Sequence, residues 1–404
     1  MKIGIFMHAY LPKIGGAQIT THCLANSFSK RGHDVTVYSN PKLVKSCESL
    51  GWEFKYNLKG LFSPPEKLLS ISVKFWFLLT KLSIKNAVNR DKLDAVQLVV
   101  AWPWLPVTGA LKQLGVPVVI RSAGDDIQIS KKLNYGLRSD PIKDSLIRNG
   151  FLNVTKAVAI SNTVTQEYIN VGIPIENIVE IVPGVDSQAY NDCIIAKEDI
   201  RKKWGISLDK KVIISVGRNH PKKGFKDLVK ALELLNSDSN KFVVVIVGKG
   251  TDALIQDAEN IGQGQNYIPI GEIASLSNNG IGTFPSIELI ELYKASDYFV
   301  LPSYIETYAN VAVEAMAAGI PAICTDAPGC IDTIDDKIDG LIIPTHAPEK
   351  IAEAVMELEE NSELRKKIVQ AGLVRALEQD WDNIASKYLD VYDSFYRKTQ
   401  DVFK

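Results

Sequence analysis

Cysteine is scarce in the 404-residue chain: Cys23, Cys47, Cys193, Cys324 and Cys330, with no Cys-x-x-Cys pair among them. An odd, scattered set of this kind excludes a disulfide framework and points to a reducing, cytoplasmic setting. Long hydrophobic runs are also missing. No uncharged apolar stretch reaches the roughly 18 residues that a membrane span requires. The apolar run Met1 to Met7 lacks the longer core and small-residue cleavage site of a secretory signal. A dinucleotide fingerprint is absent too, because no third glycine follows Gly15-Gly16 at the required spacing.

The composition that remains is that of a soluble globular protein, with 46% hydrophobic and 23% charged residues. The length fits two domains of roughly 100–200 residues each. A net charge of −1 conceals an asymmetry. Residues 1–186 carry 22 Lys and Arg against 14 Asp and Glu, a net of +8, and the remainder carries 24 against 33, a net of −9. The first half is therefore expected to meet something acidic: a membrane surface, a lipid-linked acceptor or an anionic glycan. Nucleic acid is not an expected partner.

Short apolar runs alternate with helical patterns. Lys2 to Met7 reads as a strand, Ala17 to Arg31 as a helix stopped by Gly32, and Val35 to Tyr38 as a second strand, which makes one βαβ unit. Further strands are predicted at Ala95–Val100, Val116–Ile120, Ala157–Ile160 and Ile178–Val182. The scheme then restarts, with strands at Lys211–Val216, Phe242–Val247, Tyr298–Pro302 and Pro321–Thr325, and helices at Asp227–Leu235 and Val311–Ala318. The boundary falls near Pro183 to Asp199, where Pro, Gly, Asp and Asn cluster. A last helix, about Trp381 to Tyr396, fits either half. Residues 64–90 read as one basic amphipathic helix, with Lys67, Lys74 and Lys81 seven apart and Lys85 and Arg90 beyond. Two readings stand: a surface helix covering the first sheet, or an interfacial helix on anionic lipid.

Ligands of open α/β sheets sit beyond the carboxyl ends of the strands, and three loops stand at such ends. Gly15-Gly16 permits close backbone approach and opens a helix whose N–H groups favour an anion. Gly217-Arg218-Asn219-His220-Pro221-Lys222-Lys223-Gly224 brings two or three cations to one loop, which suits a diphosphate, although a solvated basic turn has the same composition. In the third loop Glu306 can accept hydrogen bonds from vicinal hydroxyls, and backbone N–H groups from Thr307 through Tyr308, Ala309 and Asn310 to Val311 can hold phosphate oxygens. Glu314, eight residues after Glu306 and about one turn inside the next helix, can reach ribose hydroxyls. The other reading of Glu314 is a structural ion pair or an exposed helix position. His8 follows the first strand and reads equally as a site residue or a packed one.

These residues resemble the retaining glycosyltransferases of the GT-B fold, family-4 type. Glu306 and Glu314 match that family's Glu, seven residues, Glu pattern, with Pro302-Ser303 before it and Ala315-Met316-Ala317-Ala318-Gly319-Ile320-Pro321 after it. Gly217-Arg218 with Lys223-Gly224, Gly15-Gly16, and Arg31-Gly32-His33-Asp34-Val35 are similar to its other features. The resemblance implies two Rossmann-like domains with parallel sheets facing across a cleft. Residues 1–186, joined by a C-terminal helix 382–404, would bind the acceptor, and residues 187–381 the nucleotide-sugar donor. It further implies transfer of a hexose-type sugar with retention, from a UDP-sugar by default, to a glycan, lipid-linked or other hydroxyl acceptor, as in polysaccharide biosynthesis. Arg218 and Lys223 would bind the diphosphate, Glu306 would position the sugar and Glu314 would hold the ribose. No cofactor or metal is expected, since no Asp-x-Asp stands at a strand end. A peripheral site on the inner membrane face is compatible with the basic first half. A nucleotide-sugar epimerase of the same fold and an inert sugar-nucleotide-binding protein are the alternatives. Three departures stand out. Ala123 occupies the place of a donor-contacting histidine, with Ser122 or Asp126 as candidate replacements. Pro183-Gly184-Val185-Asp186 replaces Asn-Gly-Val-Asp, and Ala309 replaces a glycine.

Overall fold

β-branched runs too short to be helices pair side by side in this chain, and the intervening amphipathic segments supply the crossovers that parallel pairing demands. The computed structural model describes residues 1–100, 102–130, 135–273, 276–277, 280–281 and 284–401. The end of the expected C-terminal helix, 402–404, lies outside the described residues. The chain divides into two compact units: 1–183 with 278–281 and 381–404, and 184–277 with 282–380.

The first unit carries a seven-stranded sheet. From edge to edge the strands are Asn57–Gly60, Asp34–Ser39, Lys2–Phe6, Ala95–Val99, Val118–Arg121, Lys156–Ala159 and Ile178–Glu180. All neighbours are parallel. Ala95–Val99 is buried along its whole length, so the sheet is covered on both faces. Helix Trp381–Asp401 belongs to this unit. Its Tyr388 and Tyr392 are buried edge-on against Phe28, and the Tyr392 hydroxyl donates to Gln97 in the sheet. Residues 64–90 form two helices, Glu66–Ile71 and Val73–Asp91, rather than one. Ser72 breaks the run: its backbone is extended, and its hydroxyl accepts from the N–H of Phe75 at 3.3 Å, which caps the second helix.

The second unit carries six parallel strands in the order Tyr267–Ile270, Phe242–Val247, Lys211–Val216, Tyr298–Leu301, Ala322–Thr325, Leu341–Ile343. Its core joins Val244 and Ile246 of the sheet to Phe225, Leu228 and Leu232 of helix Phe225–Leu235 and to Ile351, Val355 and Leu358 of helix Pro348–Glu360. In both sheets the first strand of the unit is central and the chain winds outward from it in both directions. This order creates a switch point, where two adjacent strands send their following loops to opposite sides and leave a crevice. In the second unit the crevice lies beyond Val216 and Leu301. Among the described residues no helix is long and apolar enough to cross a membrane, and all five cysteines are free thiols.

The two loops at this crevice touch backbone to backbone. Gly224 holds a φ of +63°, and a Cβ there would lie 2.0 Å from the carbonyl oxygen of Pro302. Gly205 has nearly the same φ, +65°, but faces open space. Gly205→Ala is therefore expected to cost about 1 kcal/mol from backbone strain alone, and Gly224→Ala more than about 2 kcal/mol. Urea unfolding of the two variants checks the difference; equal losses would mean the loops have room to part.

Candidate active site

The strand Lys211–Val216 lies against Tyr298–Leu301, with Ile213 opposite Tyr298 and Ile214 opposite Phe299. The loops that leave their carboxyl ends are joined where the N–H of Tyr304 donates to the carbonyl of Lys222 at 2.7 Å. Glu306 is fixed from the other side, its N–H donating to the carbonyl of Pro328 at 2.9 Å. Topology and these two bonds place cation and carboxylate together: Lys223 Nζ donates to Glu306 Oε1 at 2.6 Å. Ser303 Oγ donates to the same oxygen at 2.8 Å, and Lys222 Nζ stands 3.7 Å from Oε2. Burial alone would raise the Glu306 pKa. The ammoniums of Lys223 and Lys222 and the donated hydrogen bonds outweigh it and hold the carboxyl below its ordinary value. Glu306 is thus an anion at neutral pH. Burial pulls the Lys222 pKa down despite that anion.

Arg218 stands on the same loop, exposed, with no hydrogen bond or ion pair among the described residues. Its charge reaches His220, whose pKa is lowered by burial and then by Lys222, Arg218 and Lys223 together. Asn219 ties the loop to its neighbour, donating to the carbonyl of Gly250 at 2.9 Å. Tyr304 closes the other flank, its hydroxyl donating to Asp227 at 2.7 Å and its ring stacking on His346 at 3.8 Å.

Helix Asn310–Ala317 starts without a side-chain cap and with no acid in its first turn. Among the described residues the backbone N–H groups of Thr307, Tyr308, Asn310 and Val311 have no partner, whereas that of Ala309 donates to Thr333 Oγ1 at 3.0 Å. Of the N–H groups expected to be open between Thr307 and Val311, only that of Ala309 is therefore engaged. The Tyr308 ring is turned into the interior, where its hydroxyl donates to Gln379 at 3.0 Å, so only its backbone is offered to a ligand. One turn along, Glu314 is neither a surface position nor an ion pair. It is packed round by protein with some solvent contact left, and it accepts from the Tyr293 hydroxyl at 3.0 Å. Burial raises its pKa to about 7.

The remaining candidates lie in the first unit. Gly15 is extended and precedes helix Gly16–Lys30, which has no side-chain cap and no acid in its first turn. Asp126 is wholly buried and accepts from the N–H groups of Ala123 and Gly124 at 3.0 and 3.1 Å. It shapes the loop and has no surface to offer a substrate; Asp125, one residue earlier, is exposed. Ser122 is buried as well. His8 packs edge-on to Trp104 at 5.6 Å, 3.3 Å from Ser63 Oγ and 3.4 Å from Asn40. Burial, then Lys13, lowers its pKa, so it is neutral at pH 7. The sequence pattern gave no role to Ser303 and Tyr293, and counted Lys222 only as a further cation of its loop. A serine three residues before Glu306 and a second lysine beside Lys223 were available signals; Tyr293 gave none. Among the described residues no three His, Cys, Asp or Glu side chains cluster to hold a metal.

The fold and this site define a GT-B glycosyltransferase. Residues 196–375 match the model for glycosyl transferases group 1, and residues 14–189 match that for Glycosyltransferase Family 4. Between them the matches span most of the chain, which belongs to this family of enzymes. The chain is 25% identical to an uncharacterized glycosyltransferase of Methanocaldococcus jannaschii, over 97% of its length and 98% of the relative's. It is 22% identical to the N-acetyl-alpha-D-glucosaminyl L-malate synthase of Bacillus anthracis, over 97% and 96%. Among solved structures it is similar to Anabaena HepE in complex with UDP, with a TM-score of 0.77, 18% identity, and coverage of 98% of this chain and 100% of that one.

The Glu314 pKa carries a stability consequence. An unfolded glutamate titrates near 4.3. Below that value both states are protonated and the residue is neutral to stability. Between about 4.3 and 7 the unfolded chain ionises first, so stability falls as pH rises, and above 7 the loss is complete. Glu314→Gln is expected to raise the unfolding midpoint at pH 8, by an amount worth up to about 4 kcal/mol, and to leave it unchanged near pH 4. Melting curves at the two pH values check this; a destabilised variant at pH 8 would show that the carboxylate is anchored by a cation.

Proposed function

We propose that this glycosyltransferase takes a hexose from a nucleoside diphosphate sugar, with UDP as the favoured nucleotide, and passes it with retention to a hydroxyl acceptor. The second unit would bind the donor and the first the acceptor. The observation that carries this reading is the cluster at the switch point: an ionised Glu306 held by Lys223, an unengaged Arg218 on the same loop, and an open helix start beyond. The UDP nucleotide is supported by the HepE complexes with UDP and with UDP-glucose.

The chemistry is departure of a nucleoside diphosphate from an anomeric carbon, so negative charge grows on the leaving phosphate. Arg218 meets it with a planar fork of donors, Lys223 with a compact charge, and Asn310 and Val311 with backbone N–H groups. These fixed donors need no reorganisation as charge develops, and one of them is typically worth about 2.7–4 kcal/mol. Glu306, kept ionised, accepts from sugar hydroxyls and fixes the ring. Glu314 accepts from the ribose. The acceptor attacks from the face the phosphate leaves, and the phosphate takes the acceptor's proton. No cofactor or metal has a part in this scheme.

A panel of nucleotide sugars, assayed for nucleoside diphosphate release with and without hydroxyl acceptors, tests it. Release that requires an acceptor is the expected result. An isomerised sugar formed without acceptor would establish the epimerase, and binding without turnover the inert protein. Arg218→Ala and Lys223→Ala are each expected to lower turnover by at least about tenfold; unchanged turnover in both would remove the diphosphate site.

A further inference from the structure

Helix Val73–Asp91 has two dissimilar faces. Trp76, Thr80, Ile84, Ala87 and Val88 are buried, with Trp76 stacked on Trp102 at 4.9 Å. The outward face is apolar where a solvated face is the rule. Phe75, Leu78 and Leu82, at helical spacing, are 50%, 48% and 47% exposed, and Ile71 just before them is 79% exposed. Phe62, 55% exposed, is tied to the same helix through its carbonyl, which accepts from Ser83. Phe75, Leu78 and Leu82 thus share one face of the helix, with Ile71 just before it in the chain and Phe62 joined to it through its backbone. Large apolar side chains exposed along one helix face mark an interaction surface.

Charge identifies the partner. Lys74, Lys81 and Lys85 share the turns of Phe75, Leu78 and Leu82 and form a row alongside them at helical spacing. From residue 67 to residue 90 the chain has five Lys or Arg and no Asp or Glu. A second copy of the chain docked through a two-fold contact would bring this lysine row against itself. An apolar stripe edged by lysines instead fits a layer with hydrocarbon below and negative charge at its surface.

We propose that this face seats the enzyme on an anionic membrane, with Ile71, Phe75, Leu78 and Leu82 entering the headgroup boundary and the lysines meeting lipid phosphates. The buried Trp76 face makes the helix a fixed platform rather than a segment that folds on contact. The proposal is independent of the donor reading, since none of these residues belongs to the switch-point cluster.

Co-sedimentation of the full chain with vesicles tests it. Binding is expected to phosphatidylcholine vesicles containing about one-third phosphatidylglycerol, to be much weaker to phosphatidylcholine alone, and to fall with salt. Phe75→Ser, Leu78→Ser and Leu82→Ser combined, and separately Lys74→Gln, Lys81→Gln and Lys85→Gln combined, should each lower partitioning by about tenfold or more. Neither set is buried, and nucleoside diphosphate release with a water-soluble acceptor should be unchanged. Failure of the unaltered chain to bind anionic vesicles at low salt would overturn the proposal. So would equal binding by both variants, or a dimer in solution that the serine variant dissolves.

Discussion

A largely buried ion pair, Lys223 with Glu306, organises the second unit's candidate site. Pairs of this kind contribute little net stability, because the cost of stripping water from both charges offsets their attraction. An apolar pair would hold the two loops together as well. The arrangement therefore makes sense as preparation for a ligand: a carboxylate kept ionised at a protein-enclosed position, and an ammonium already aimed where an anion would arrive. The rest of the crevice serves that pair. The Tyr304-to-Lys222 backbone bond sets the distance between the loops, Gly224 lets them meet, and the Pro328 carbonyl and Ser303 hydroxyl hold Glu306 from the other side.

The two acids of the Glu, seven residues, Glu pattern have opposite electrostatic settings. Glu306 lies among cations and titrates low, whereas Glu314 has, among the described residues, only a tyrosine hydroxyl for a hydrogen-bond partner and titrates near 7. One acid is ready before a ligand binds. The other is neutral in part of the molecules at pH 7 and becomes a better acceptor as pH rises. A ligand offering hydroxyls to Glu314 would itself favour the ionised form.

Much of this was legible in the sequence, because apolar runs with glycine-bearing loops at their ends report parallel α/β units directly. Strands buried on both faces, such as Ala95–Val99 and Phe242–Val247, were readable as continuous apolar runs. Of the four edge strands of the two large sheets, only Ile178–Glu180 was readable. Asn57–Gly60 is half polar, Tyr267–Ile270 contains a proline that only an edge tolerates, and Leu341–Ile343 is three residues long. The loop residues of the switch point announced themselves by charge and glycine. What sequence could not give was direction. It could not show that Asp126 turns inward to its own loop, that Tyr308 points to Gln379, or that Ser72 divides the basic segment in two. Each of these is decided by short-range hydrogen bonds that composition does not encode.

In the proposed reaction Lys223 and Glu306 act on the donor as one unit. A double-mutant cycle on turnover, with Lys223→Met, Glu306→Gln and both together, measures this most directly. Each single change is expected to remove most of the activity, and the double variant to lose little more than the worse single one, a coupling above about 1 kcal/mol. Losses that simply add, or a Glu306→Gln variant with full turnover, would contradict it.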